Sequence, residues 1–236
     1  MPLAWPDPEM REAPAEVLEW EGIAADLGSE IGCNDPPVDA FEIADQCELT
    51  IEPADVPTAE IDHDRRVIKL NVQMRRERQH MSVAHEVGHF ALVRAGLHND
   101  CPGARYIAGA LMMPWAPFDR DLTRTAWAME ALRAAHPNAS ATAIAVRISQ
   151  LRDAVVTILD PRGRRKHWRI TSPWIVDPRL RRVTAWEREL ARLAYEQRAE
   201  VRGDQLCYAC PLIEGDEPTE HRVLVVCELE QLSLRL

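Results

Sequence analysis

The stretch from Gln79 to Leu92, QHMSVAHEVGHFAL, holds the residues best suited to chemistry. Its centre, His85-Glu86-Val87-Gly88-His89, sets two histidines four apart with a glutamate beside the first. On a helix, residues at that spacing stack on one face. Both imidazoles can then turn to one metal ion, and the Glu86 carboxylate can reach a water bound to it. Zinc lowers the pKa of such a water to about 7, and a nearby carboxylate can take its proton as it attacks a carbonyl. Met81, Val83, Ala84, Val87, Phe90, Ala91 and Leu92 give the helix an apolar surface to bury. The same pattern also fits a buried helix with two hydrogen-bonded histidines. Gly88 weighs against that, because a glycine inside a helix costs about 1 kcal/mol against alanine and calls for a close-packing or functional reason.

A third donor follows in HNDCPGARYIAGALMMP, His98 to Pro114. Pro102 suits the first turn of a helix, where its missing N–H is not needed. That makes Cys101 the expected N-cap, with Ile107, Ala108, Leu111 and Met112 on the apolar side. The positive end of a helix favours thiolate, which is a zinc ligand. The ordinary alternative for a lone cysteine is a buried small hydrophobe.

Two further groups carry weaker signals. Cys207-Tyr208-Ala209-Cys210 would need a second pair to hold a structural zinc, and only His221 and Cys227 are near, so buried strand positions are expected. From Arg162 to Arg182 there are eight Lys or Arg against one acid, Asp177, with Trp168 and Trp174 among them. Arginine interleaved with tryptophan suits single-stranded nucleic acid, making Arg162, Arg164, Arg165, Lys166 and Arg169 candidate contacts. The other reading is a solvated hairpin whose arginines pair with this acidic chain's own carboxylates.

Composition bounds these options. A chain of 236 residues can bury a core and form one large or two small domains. A net charge of −10 argues against wholesale coating of nucleic acid, though not against a local anion site. The start, MPLAWPDPEMREAPAE, places acids and prolines where a signal peptide needs a basic start and an apolar run, and no long apolar stretch suggests a membrane span. A cytoplasmic protein with six reduced cysteines is expected.

Residues 1–12 read as a loose tail. Helical spacing runs from Ala13 to Ile31 and, after Pro36-Pro37, from Val38 to Cys47 with Asp39 near its start. Short strands are expected at 48–52, 58–62 and 66–71, then the His85–His89 helix from about Arg75 to Ala95. Asp119 to His136 reads as one helix, and Ser140 caps another through Leu151. The stretch ASATAIAVRISQLRDAVVTIL has the rhythm of a helix-turn-helix, but its turn lacks a glycine, so ordinary helix packing is favoured; residues 154–159 fit a strand equally well. A helix over 184–201 stopping at Gly203 and two closing strands, 206–213 and 222–229, complete the chain.

Pro37 to Pro114 resembles the ImmA/IrrE family of zinc metallopeptidases. The resemblance is carried by PVDAFEIADQCELTIEP, by VIKLN, by RRERQHMSVAHEVGHFAL and by YIAGALMMP, in the family's order. It implies an α+β fold: a mainly helical, zincin-like metallopeptidase domain with a small sheet over 13–153, then a small α/β GAF-like domain over 154–236. It also implies Zn2+ on His85 and His89 and Glu86 as general base. The family's third ligand, a glutamate, aligns with Cys101, and no glutamate lies between Val87 and Arg124. Cys101 is then either the third ligand or a latch covering the position of the attacking water, with Asp100 the nearest carboxylate. The implied activity is a zinc endopeptidase that cleaves a helix-turn-helix repressor after a stress signal, with single-stranded DNA as a candidate trigger and anti-phage defence as a setting. The alternatives are a non-catalytic DNA-binding regulator with a structural zinc, and a general peptidase.

Overall fold

The computed structural model describes residues 14–160, 166–175, 177–203, 207–212 and 222–229, with backbone alone at Lys166 and His167. The expected tail at 1–12 and the basic residues Arg162, Arg164 and Arg165 lie outside the described residues.

The fold is α+β, with two packed units in chain order. The first begins with α1 (Ala15–Ile31) and α2 (Ala40–Gln46), the latter started by Asp39, whose side chain accepts the Phe41 N–H at 2.8 Å. Three short strands follow, β1 (Thr50–Pro53), β2 (Ala59–Asp62) and β3 (Val67–Leu70), arranged β1-β3-β2. The central strand β3 is parallel to β1 and antiparallel to β2, and its Val67, Ile68 and Leu70 are buried. Helices α3 (Arg76–Arg94) and α4 (Cys101–Met112) complete this unit. One apolar cluster gathers Val17 and Leu27 of α1, Ile43 of α2, Ile68 of β3, Val87 of α3 and Ile107 of α4.

The second unit starts at Met113. Helices α5 (Trp115–Thr125), α6 (Met129–Ala135) and α7 (Ala141–Leu151) cover one face of a five-stranded antiparallel sheet. Its strands are β4 (Ala154–Leu159), β5 (Lys166–Thr171), β6 (Val201–Arg202), β7 (Cys207–Leu212) and β8 (Arg222–Glu228), in the order β5-β4-β8-β7-β6. Strand alternation divides the sheet cleanly. Val156, Ile158, Leu224 and Val226 face α5–α7, while Leu159, Ala209, Val223 and Val225 face α8 (Ala185–Gln197). The boundary expected at residue 153 falls between α7 and β4, whose residues share the first of these clusters.

Arg147 of α7 joins the two units. It is fully buried, its guanidinium donating to Glu21 of α1 at 2.6 and 2.8 Å and to the Met113 carbonyl at 3.0 Å. It also lies 5.8 Å over the Tyr106 ring of α4.

Several expectations are corrected. The single helix over 119–136 is two, because Ala126 and Trp127 take φ of 48° and 66°, which turns Trp127 into the core. After Ser140, by contrast, the favoured helix packing is what the structure shows, and residues 154–159 take the strand alternative: α7 is followed directly by β4, whose six residues are all buried in mid-sheet, where β-branched side chains fit well. The helix expected to reach Val201 stops at Arg198, in left-handed conformation, and Val201–Arg202 pairs with β7 instead. Cys207 and Cys227 stand opposite one another on β7 and β8 and form a disulfide, so the chain does not carry six free thiols. Cys210 stays free and half-buried on β7, its thiol pushed up to about 12 by burial. No helix of the described residues is long and apolar enough to cross a membrane.

Candidate metal centre

Helix α3 presents the paired histidines as its sequence predicts. Val83, Ala84, Val87, Ala91 and Leu92 turn into the core, which leaves His85 and His89 half-buried on the neighbouring face. Gly88 explains how α4 comes close enough to contribute. A Cβ at Gly88 would sit 2.3 Å from the Ala104 carbonyl oxygen and 2.9 Å from its carbon, both backbone atoms of α4. Only glycine permits this crossing, and the crossing brings the start of α4 to the histidines.

Cys101 is the first residue of α4, not its cap. The cap is Asp100, whose carboxylate accepts the Gly103 N–H at 2.7 Å. A carboxylate is much the better partner for an unpaired N–H than a thiol, which moves the helix start by one residue. This frees the Cys101 sulfur, which is exposed and stands 3.9 Å from His89 Nε2. The two Nε2 atoms of His85 and His89 are 3.2 Å apart. Ligand atoms of His85, His89 and Cys101 all lie within 4.8 Å of one another, so three of the predicted site residues converge.

The electrostatics suit ligation. Burial, then the charges of His89 and Arg105, lowers the His85 pKa to about 4, keeping its imidazole neutral with a lone pair to give. Glu86 is 6% exposed and accepts the Ile61 N–H of β2 at 3.1 Å through Oε2. Burial raises its pKa, while the neighbouring His89 and the Ile61 N–H pull it back. A nitrogen, nitrogen, sulfur donor set with an acidic side chain at hand fits zinc with one position left open.

Two residues escaped the sequence. Asn99 Oδ1 lies 2.5 Å from His89 Nδ1, and Asn99 Nδ2 lies 3.4 Å from Nε2 of His63, on the turn between β2 and β3. Neither carries a motif; the only available signal is that Asn99 sits two residues before a predicted ligand.

The candidate polyanion residue Arg169 is not available for that task. Its side chain is 3% exposed and is spent on Glu187 of α8 at 2.5 Å, on Thr157 of β4 and on the Leu180 carbonyl. Lys166 lies on the edge strand β5.

Comparison with known proteins gives a family match over part of the chain and a likeness of fold. Residues 46–149 match the model of a peptidase family described as the IrrE N-terminal-like domain. Among solved structures, a Mycobacterium tuberculosis transcriptional regulator superposes with a TM-score of 0.66 at 14% identity, over 93% of this chain and 83% of that one. At that identity the likeness is one of fold. No curated protein matches the chain.

Proposed function

We propose that the protein is a zinc-dependent endopeptidase that relieves repression by cutting a helix-turn-helix repressor. The observation that carries this is the convergence of His85, His89 and Cys101 within 4.8 Å, next to the buried Glu86. Zinc held there would act as a Lewis acid on the scissile carbonyl and acidify the attacking water. The chain's own groups do the rest. The Ile61 N–H fixes Glu86 Oε2, leaving Oε1 to take the water's proton and pass it to the departing amine. A carboxylate made more basic by burial is better matched to that work near neutral pH.

Cys101 serves as the third ligand. The latch reading needs another group to hold the metal once the sulfur leaves. Asp100, the carboxylate beside Cys101 in the chain, caps α4 through Oδ1, and no other donor joins the cluster among the described residues. A purely structural zinc is disfavoured on the same count, since it wants four protein ligands and has no use for Glu86. A repressor as substrate rests on the family resemblance and on the regulator whose fold this chain shares. Single-stranded DNA as trigger rests on Arg162, Arg164, Arg165 and Lys166.

The test pairs metal content with cleavage. Purified protein should hold about one zinc per chain, as single catalytic sites do, and His85→Ala, His89→Ala and Cys101→Ala should each lose it. Glu86→Gln should keep zinc and fold, while cleavage of a repressor encoded beside this gene falls by about 10²–10⁴. Zinc-free wild type, or near-normal cleavage by Glu86→Gln, would overturn the proposal.

A further inference from the structure

His89 can serve as a ligand through Nε2, the nitrogen facing His85 and Cys101, only if the imidazole proton sits on Nδ1. An isolated neutral imidazole has no such obligation. Here the Nδ1 side meets the Asn99 side chain, and an amide is ambivalent: its oxygen accepts a proton, its nitrogen donates one. With Oδ1 toward His89, Nδ1 donates and Nε2 is free. With the amide reversed, its N–H would face Nδ1, drive the proton to Nε2 and block ligation. The far side of the amide decides between them. Asn99 Nδ2 faces Nε2 of His63 at 3.4 Å, a ring nitrogen able to accept. Helix α3, the loop before α4 and the β2–β3 turn are thus joined by one chain of side chains, His89–Asn99–His63.

We infer that Asn99 and His63 are positioning residues that set the ligating tautomer of His89, with Asn99 bonding it and His63 keeping the amide the right way round. This rests on the zinc reading of the centre. A hydrogen-bond partner on the outer nitrogen of a ligand histidine is typically worth 10–100-fold in metal affinity. Asn99 is exposed, so water can partly replace it, and the effect belongs at the low end, about tenfold.

The experiment measures zinc affinity of the full chain by competition with a chromogenic chelator. Asn99→Ala should bind about tenfold more weakly. Asn99→Asp should bind at least as well as wild type, because both carboxylate oxygens accept and neither orientation is wrong. His63→Ala should weaken zinc binding severalfold in the wild-type background and have little effect in the Asn99→Asp background, where there is no amide to orient. A purely structural role for His63 would cost the same in both. Wild-type affinity in Asn99→Ala, or a His63→Ala loss that persists beside Asn99→Asp, overturns the inference. A wild type that takes no zinc overturns instead the reading beneath it.

Discussion

Two polar clusters in this chain have opposite designs. In the second unit, Arg169, Glu187, Thr157 and Thr184 form a closed set. Glu187 Oε2 takes the Thr184 N–H at 2.8 Å and its hydroxyl at 3.0 Å, Oε1 takes Arg169 and Thr157, and Arg169 also donates to the Leu180 carbonyl. The strongest polar groups there face one another, sealed between the sheet and α8. At the candidate metal centre, ligand atoms of His85, His89 and Cys101 gather within 4.8 Å of one another, with the two Nε2 atoms 3.2 Å apart. Buried charge satisfied by neighbours is architecture. Imidazole nitrogens and a thiol that converge on one point are an invitation to a ligand.

The contrast can be broken most forcefully at Glu187. Glu187→Ala leaves Arg169 buried and unpaired, which should lower unfolding free energy by about 3–5 kcal/mol. Urea denaturation would measure it, and zinc affinity of the folded fraction should be unchanged. A fall in zinc affinity there would mean the clusters are coupled and the contrast false.

Gly88→Ala should affect both properties. The added Cβ meets the Ala104 backbone at 2.3 Å, and forcing α3 and α4 apart should cost about 1–3 kcal/mol, partly offset by alanine's better helix propensity. Cys101 moves with α4, so zinc affinity should fall as well. Full affinity in a destabilised variant would show that the crossing serves packing alone.

The smallest effect concerns acid. His136 is buried beside Asp121, 3.1 Å away, and against the Phe118 ring. Burial lowers its pKa despite the raising influence of Asp121. Below the ordinary histidine value of about 6.5 the unfolded chain takes up a proton that the folded chain resists. This contribution is complete above that pH and is lost as pH falls toward the lowered folded value. The stability curve of His136→Asn should be flatter between pH 7 and 5; an unchanged slope would remove His136 as the cause.

How far the sequence could be read follows from the range of each interaction. That His85 and His89 come together on one helix beside Glu86 is legible because helix period alone places them so. The approach of Cys101 to them is legible through Pro102 and the family motifs, although it starts α4 and does not cap it, because the Asp100 carboxylate is the better cap. Asn99 and His63 are not legible, since their meeting depends on two loops brought together by the fold. Arg169 misled for a similar reason: its partner Glu187 lies eighteen positions further on, on another element. The stretch after Ser140 is legible as ordinary helix packing, because small residues at helical spacing pack well against a sheet. The three short strands were placed to within two residues, each bounded by proline or charge.

The Glu21–Arg147 pair has a consequence for what counts as a separable module. Residues recognisable by family begin at 46, yet Arg147, inside that stretch, depends for its counter-charge on a helix that ends at Ile31. A fragment cut at 46 would leave the Arg147 guanidinium without its counter-charge, and would also strip Trp20 from beside Gly103 at the root of α4. The unit that folds with this pair satisfied therefore reaches back through α1, and a graft of the 46–149 segment into another protein has to bring that helix along.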